Sequence, residues 1–174
     1  MWEAFRPYYA ISVDVVLVVA MTIALVGDIR HKRIYWWMTW PTAVVGVVLA
    51  VLAGGWGDSW LTPGLKSSTL GFASLWIVFR LSEIPGWVGG GDTDVLGALG
   101  ALLGFPAILG AFLFISIAGG VQAVVVLLAR TSSGRRIAAR LGARGTDSPE
   151  FGSKVRFGIS IAVGALAFRL WIRN

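Results

Sequence analysis

The chain carries a series of apolar blocks, the clearest of them roughly 17–24 residues long, which is the length that crosses a hydrocarbon core about 30 Å thick. A buried core helix in a water-soluble protein accounts for one such block. It does not account for several in succession with few charges between them. Of the 174 residues, 56% are hydrophobic and 14% charged, against about 45–50% and about 25% in an ordinary soluble domain. Helices satisfy every backbone polar group internally, as hydrocarbon demands. The expected fold is therefore an all-α integral membrane protein, a bundle of about six transmembrane helices at the ~20 residues a crossing needs. Residues 1–174 are expected to form one polytopic membrane domain.

The spans read at about 10–27, 36–53, 69–81, 92–104, 106–129 and 155–171. The third is short and weak. The fourth is too short to cross alone, unless it extends into the run Gly89-Gly90-Gly91 or sits partly inside the bundle. The first is expected to be a retained span. Its leader carries Glu3 and Arg6, the apolar block exceeds the core of a signal peptide, and no small-residue cleavage site follows.

Basic residues set the expected orientation. Arg30, His31, Lys32 and Arg33 follow the first span, and Arg130, Arg135, Arg136, Arg140 and Arg144 follow the fifth. The segment between the second and third spans, 54–68, holds only Asp58 and Lys66. With six spans, both basic loops fall on one side, which becomes the cytoplasmic side, with both termini outside. Arg169 and Arg173 run against an external C-terminus. Trp36, Trp37 and Trp40 at one interface and Trp56 and Trp60 at the other suit an aromatic belt. Residues 130–153 read as a basic cytoplasmic loop, with a short amphipathic helix at 135–141, lying against anionic lipid headgroups. The net charge of +6 is thereby explained by membrane loops, without nucleic acid.

The chain has no cysteine and one histidine, His31. That removes disulfides, a cysteine-ligated zinc site and any histidine cluster, and no metal or cofactor is expected. The acids near the membrane are Asp14, Asp28, Glu83, Asp92 and Asp94. An ionisable group there is costly and marks function until another cause is found. Asp28 closes the first span and Asp92 opens the fourth, so a six-span topology brings both to one face although they are 64 positions apart. Two carboxylates held close do not both ionise cheaply, and one keeps a proton. Such a pair can bind water between them, one acting as general base and the other as general acid. Composition leaves a serine nucleophile paired with lysine open as well.

Simpler readings stand beside these. Asp28 suits an interfacial acid balancing Arg30 or Lys32. Asp92 suits a helix N-cap. The three glycines before it exceed what a cap needs, and they fit a flexible turn beside a site that admits an extended peptide. Asp14 lies about 21 Å from Asp28 along a helix rising 1.5 Å per residue, and reads as a polar contact between helices. Asp94, two residues past Asp92, points elsewhere and either modulates the site or binds a basic substrate segment.

The stretch Gly86-Trp87-Val88-Gly89-Gly90-Gly91-Asp92, followed by Leu96-Gly97-Ala98-Leu99-Gly100 and Gly104, resembles the GxGD region of type IV prepilin and preflagellin peptidases. That family also has an aspartate ahead of a basic stretch, matched by Gly27-Asp28-Ile29-Arg30-His31-Lys32-Arg33-Ile34. Its Phe-Gly pair near the last span is matched by Phe157-Gly158. The resemblance implies an intramembrane aspartyl endopeptidase with Asp28 and Asp92 catalytic. Gly89, Gly90, Gly91, Asp94, Arg33, Phe157 and Gly158 would support the site or contact substrate. It further implies a minimal form without the methyltransferase domain, located in the inner or cytoplasmic membrane. The substrate would be a prepilin-like precursor, with a basic leader and an apolar helix, cut at the cytoplasmic face. Four positions depart from the family pattern: Tyr35-Trp36 replaces Pro-Asn, Asp94 replaces Lys, and Arg156 replaces Pro. These leave the pair intact and change its charge surroundings. Two other readings compete: a catalytically inactive assembly component, motivated by Asp94, and a small transporter using the acids as a proton relay.

Overall fold

The computed structural model describes residues 2–31, 36–57, 59, 61–83, 90–130 and 157–173. Among them are six helices and no strand: α1 (Trp2–His31), α2 (Trp36–Gly54), α3 (Leu65–Glu83), α4 (Gly90–Leu103), α5 (Ala107–Arg130) and α6 (Phe157–Arg173). Two stretches are long and apolar enough to cross a membrane, Tyr8–Asp28 in α1 and Ala107–Leu128 in α5, and Thr39–Gly54 is a shorter apolar helix.

Helix α4 is the hub. It packs against α2 and α3, with further contacts to α1, α5 and α6. From Val95 to Leu102 every residue is buried. At ~1.5 Å per residue it spans only about 21 Å. A helix enclosed by its neighbours has no need to match lipid thickness, so the short fourth segment sits inside the bundle.

Small residues let the backbones approach. A Cβ on Gly71 would stand 2.2 Å from the Gly100 carbonyl oxygen, and one on Gly100 would stand 2.1 Å from that of Gly71. This pair joins α3 to α4 at backbone contact distance, the packing expected where lipid offers no hydrophobic drive between helices. Ser68 Oγ donates to the Ala101 carbonyl at 2.6 Å and Ser67 Oγ to that of Phe105 at 2.9 Å. Those hydroxyls explain why α3 begins at Leu65 rather than near residue 69. Lys66, Ser67 and Ser68 lower the hydropathy, yet the serines face the interface and bond there. Gly104, at φ 73°, ends α4 in the left-handed region.

The outward faces are apolar. Val15, Val18 and Val19 on α1, Val44 and Val48 on α2, and Leu113, Ile117, Val121 and Val124 on α5 are all exposed. Water-soluble monomers rarely present such continuous apolar area, and hydrocarbon is the solvent that suits it. Trp37 and Trp40 are exposed at the start of α2, and Trp56 beyond its far end, where an aromatic belt would lie.

Helices α1 and α6 are tied by charge. Asp14 accepts from Arg169 Nε, and from Arg173 Nη1 at 3.1 Å. Asp14 is thus the interhelical contact expected of it, and both C-terminal arginines face this acid. The two helices run antiparallel, with the end of α1 beside the start of α6.

Candidate active site

Asp28 lies in the last turn of α1, closing its apolar stretch, while the helix itself runs on to His31. Its carboxylate rests against α6: a Cβ on Gly158 would stand 2.8 Å from Asp28 Oδ2 and 3.1 Å from Cγ. Gly158 is buried. The bare Cα at that position is what admits the carboxylate between the helices.

Asp92 lies in the first turn of α4. Gly90 and Gly91 are already helical, so Asp92 sits inside the helix rather than capping it, and these two glycines do not form an open turn. An acid there is favoured by the positive end of the helix dipole. Helices α1 and α4 are in contact, and the end of α1 and the start of α4 lie toward the same end of the bundle. Both side chains are partly buried.

Asp94 is turned away from this pair. At about 100° per residue it lies some 200° around the helix from Asp92, and Trp76 Nε1 of α3 donates to its Oδ1 at 3.3 Å. The Arg80 guanidinium lies over the Trp76 ring, 5.7 Å from its centroid. Arg80 also pairs with Glu83 at 2.7 Å. The Glu83 carboxylate stands 3.6 Å from where a Cβ on Gly90 would be. Thr93 is fully buried, and its Oγ1 has no hydrogen-bond partner.

Of the residues expected at the site, the structure brings Asp28, Asp92, Gly158, Gly90 and Gly91 to one end of the bundle and places Asp94 on the flank facing α3. Gly89, Arg33, the side chain of Phe157 and the basic stretch 131–156 lie outside the described residues. Sequence reasoning missed Trp76, Arg80 and Thr93. The spacing Trp76, Arg80, Glu83 puts one helical face toward α4 and could have revealed the first two. Among the described residues no group of three or more His, Asp or Glu side chains could hold a metal ion.

The sequence model of the type IV leader peptidase family matches residues 15–124. The chain belongs to that family. The matched segment contains both Asp28 and Asp92, and Gly158 lies beyond it. The family is membrane-embedded, in keeping with the apolar helices. Among curated proteins the chain is similar to the prepilin leader peptidase/N-methyltransferase of Myxococcus xanthus (strain DK1622), at 31% identity over 116 residues. That alignment covers 63% of this chain and 32% of the relative, so the chain spans about a third of the relative's length. No solved structure matches.

Proposed function

We propose that this type IV leader peptidase family member is an aspartyl endopeptidase of the membrane. Its reaction is removal of the short basic leader from prepilin-like precursors, whether pilin, Flp/Tad or flagellin-like, at the cytoplasmic face. The observation that supports the proposal is geometric: α1, with Asp28 near its end and its carboxylate against Gly158, packs on α4, which opens with Asp92 in its first turn.

The chemistry follows from two acids and one water. With one proton between them, the ionised carboxylate takes a proton from the water. The resulting hydroxide oxygen bonds to the scissile carbonyl carbon, while the other carboxyl donates its proton to the carbonyl oxygen. Collapse of the tetrahedral gem-diol breaks the C–N bond, with a proton passing to the leaving amine. No metal or covalent intermediate is needed.

The six helices of the proposed enzyme act as six spans, with α4 shielded by the others. The end bearing Asp28 and Asp92 is also the end from which the basic segments 30–33 and 130–156 depart. Their basic charge supports a cytoplasmic position for that end, against anionic headgroups. A substrate with a basic leader and an apolar helix would enter laterally from the bilayer.

The test is cleavage of such a precursor by the purified chain in lipid vesicles. Wild type cuts, and Asp28→Asn and Asp92→Asn each reduce cleavage to background. Cleavage at the wild-type rate by either variant would sink the proposal, as would an inert wild type.

A further inference from the structure

Two contacts from α3 bracket the turn of α4 that carries Asp92. Before it in sequence, the Glu83 carboxylate lies against Gly90. After it, the Trp76 indole donates to Asp94. Trp76 is itself held on three sides. It stacks on Phe72 at 5.7 Å, with planes 22° apart. Arg80 covers its ring. Its Cδ1 stands 2.9 Å from where a Cβ on Gly97 would be, so the indole lies on the bare backbone of α4. Arg80 then links Trp76 to Glu83.

Elsewhere the α3–α4 interface is built from glycines, apolar side chains and serine hydroxyls. Among the described residues, charged groups appear in it only at the end where α4 begins with Asp92. Ordered charged groups carry a desolvation cost that apolar packing avoids. Their concentration here is explained if they hold the first turn of α4 at a defined height and rotation. Asp92 stands in that turn, and a water shared with Asp28 would tolerate little error in their separation.

We propose that Trp76, backed by Arg80 and Glu83, is a positioning residue that sets Asp92 in register with Asp28, acting through Asp94 and Gly90. The inference rests on the aspartyl peptidase reading above. It also gives Asp94 a role in this chain: it accepts the Trp76 N–H that ties the first turns of α4 to α3.

Four variants test it on a precursor with a basic leader and an apolar helix, using the full chain in lipid vesicles. Trp76→Phe keeps the ring and loses the N–H donor. Asp94→Leu removes the acceptor, and Asp94→Asn keeps an acceptor oxygen. Trp76→Phe and Asp94→Leu are each expected to lower kcat on the order of tenfold with KM little changed. Their combination should be no worse than either alone, since both remove one contact. Asp94→Asn should lose less than Asp94→Leu. Wild-type kcat in Trp76→Phe and Asp94→Leu, or multiplicative losses in the double variant, would overturn the inference. So would losses that track only the fraction of folded protein. Asp92→Asn, measured alongside, separates the two readings: if it still cuts, the peptidase reading has failed, whereas an inert Asp92→Asn beside a fully active Trp76→Phe removes the positioning role alone.

Discussion

The carboxylate of Asp28 occupies the space that a side chain on Gly158 would need, with Oδ2 at 2.8 Å from the position of a Cβ there. The contact joins the end of α1 to the start of α6 across 130 positions of sequence. Alanine at 158 must push the carboxylate or the helix aside. Gly158→Ala is expected to lower cleavage about tenfold to a hundredfold, because reacting groups tolerate displacements well under ~1 Å. Overpacking should cost about 1–3 kcal/mol of stability. Cleavage kinetics beside circular dichroism of the same samples checks this: full activity with a methyl at 158 would mean the contact is not part of the site.

Cleavage should depend on pH as a bell. On the acid side both carboxyls become protonated and no base remains. On the alkaline side both are ionised and no acid remains, so the rate falls in both directions. The two limbs belong to the pair as a unit. A profile of kcat/KM against pH with only one limb would contradict a shared-proton mechanism.

The contact between Gly71 and Gly100 should be intolerant of any side chain. A Cβ at either would stand 2.1–2.2 Å from the other's carbonyl oxygen, and backbone cannot move aside as a flexible side chain can. Gly100→Ala is expected to destabilise by about 1–3 kcal/mol or more by forcing α3 from α4. Unfolding in mixed micelles with increasing denaturing detergent reads it, and an unchanged midpoint would refute it.

Asp14 should matter for stability and not for chemistry. Asp14→Leu removes the acceptor of Arg169 and Arg173 and leaves the partly buried Arg169 poorly paired. A loss of about 1–3 kcal/mol is expected, with kcat for folded protein unchanged, since Asp14 stands about 21 Å along α1 from Asp28. Thermal unfolding and single-turnover cleavage on one preparation decide between the two roles.

Several features were legible in the sequence because they follow from local physics. The length and apolarity of the blocks dictate helices, and the helices found follow those blocks closely. The twofold step from Asp92 to Asp94 turns the second acid away on any helix. Asp14, too far along α1 to join the pair, reads correctly as a contact between helices. Local physics failed where polarity served the interior. The start of α3 looked like loop because Lys66, Ser67 and Ser68 are polar, though Ser68 bonds into α4 and Ser67 to the turn that follows it. The glycines before Asp92 looked like a turn, and Gly90 and Gly91 are helical.

The sequence by itself determined a helical, strongly apolar chain in which one acid follows the first apolar block and another opens the fourth. That much needs only hydropathy and the rise of a helix. Tertiary structure alone decided what surrounds those acids: Gly158 under Asp28, Trp76 on Asp94, Glu83 at Gly90, and α4 enclosed at the centre. Each depends on the rotation and spacing of helices far apart in sequence. Those are set by which small residues let two backbones touch, a property of pairs of surfaces that no single segment displays.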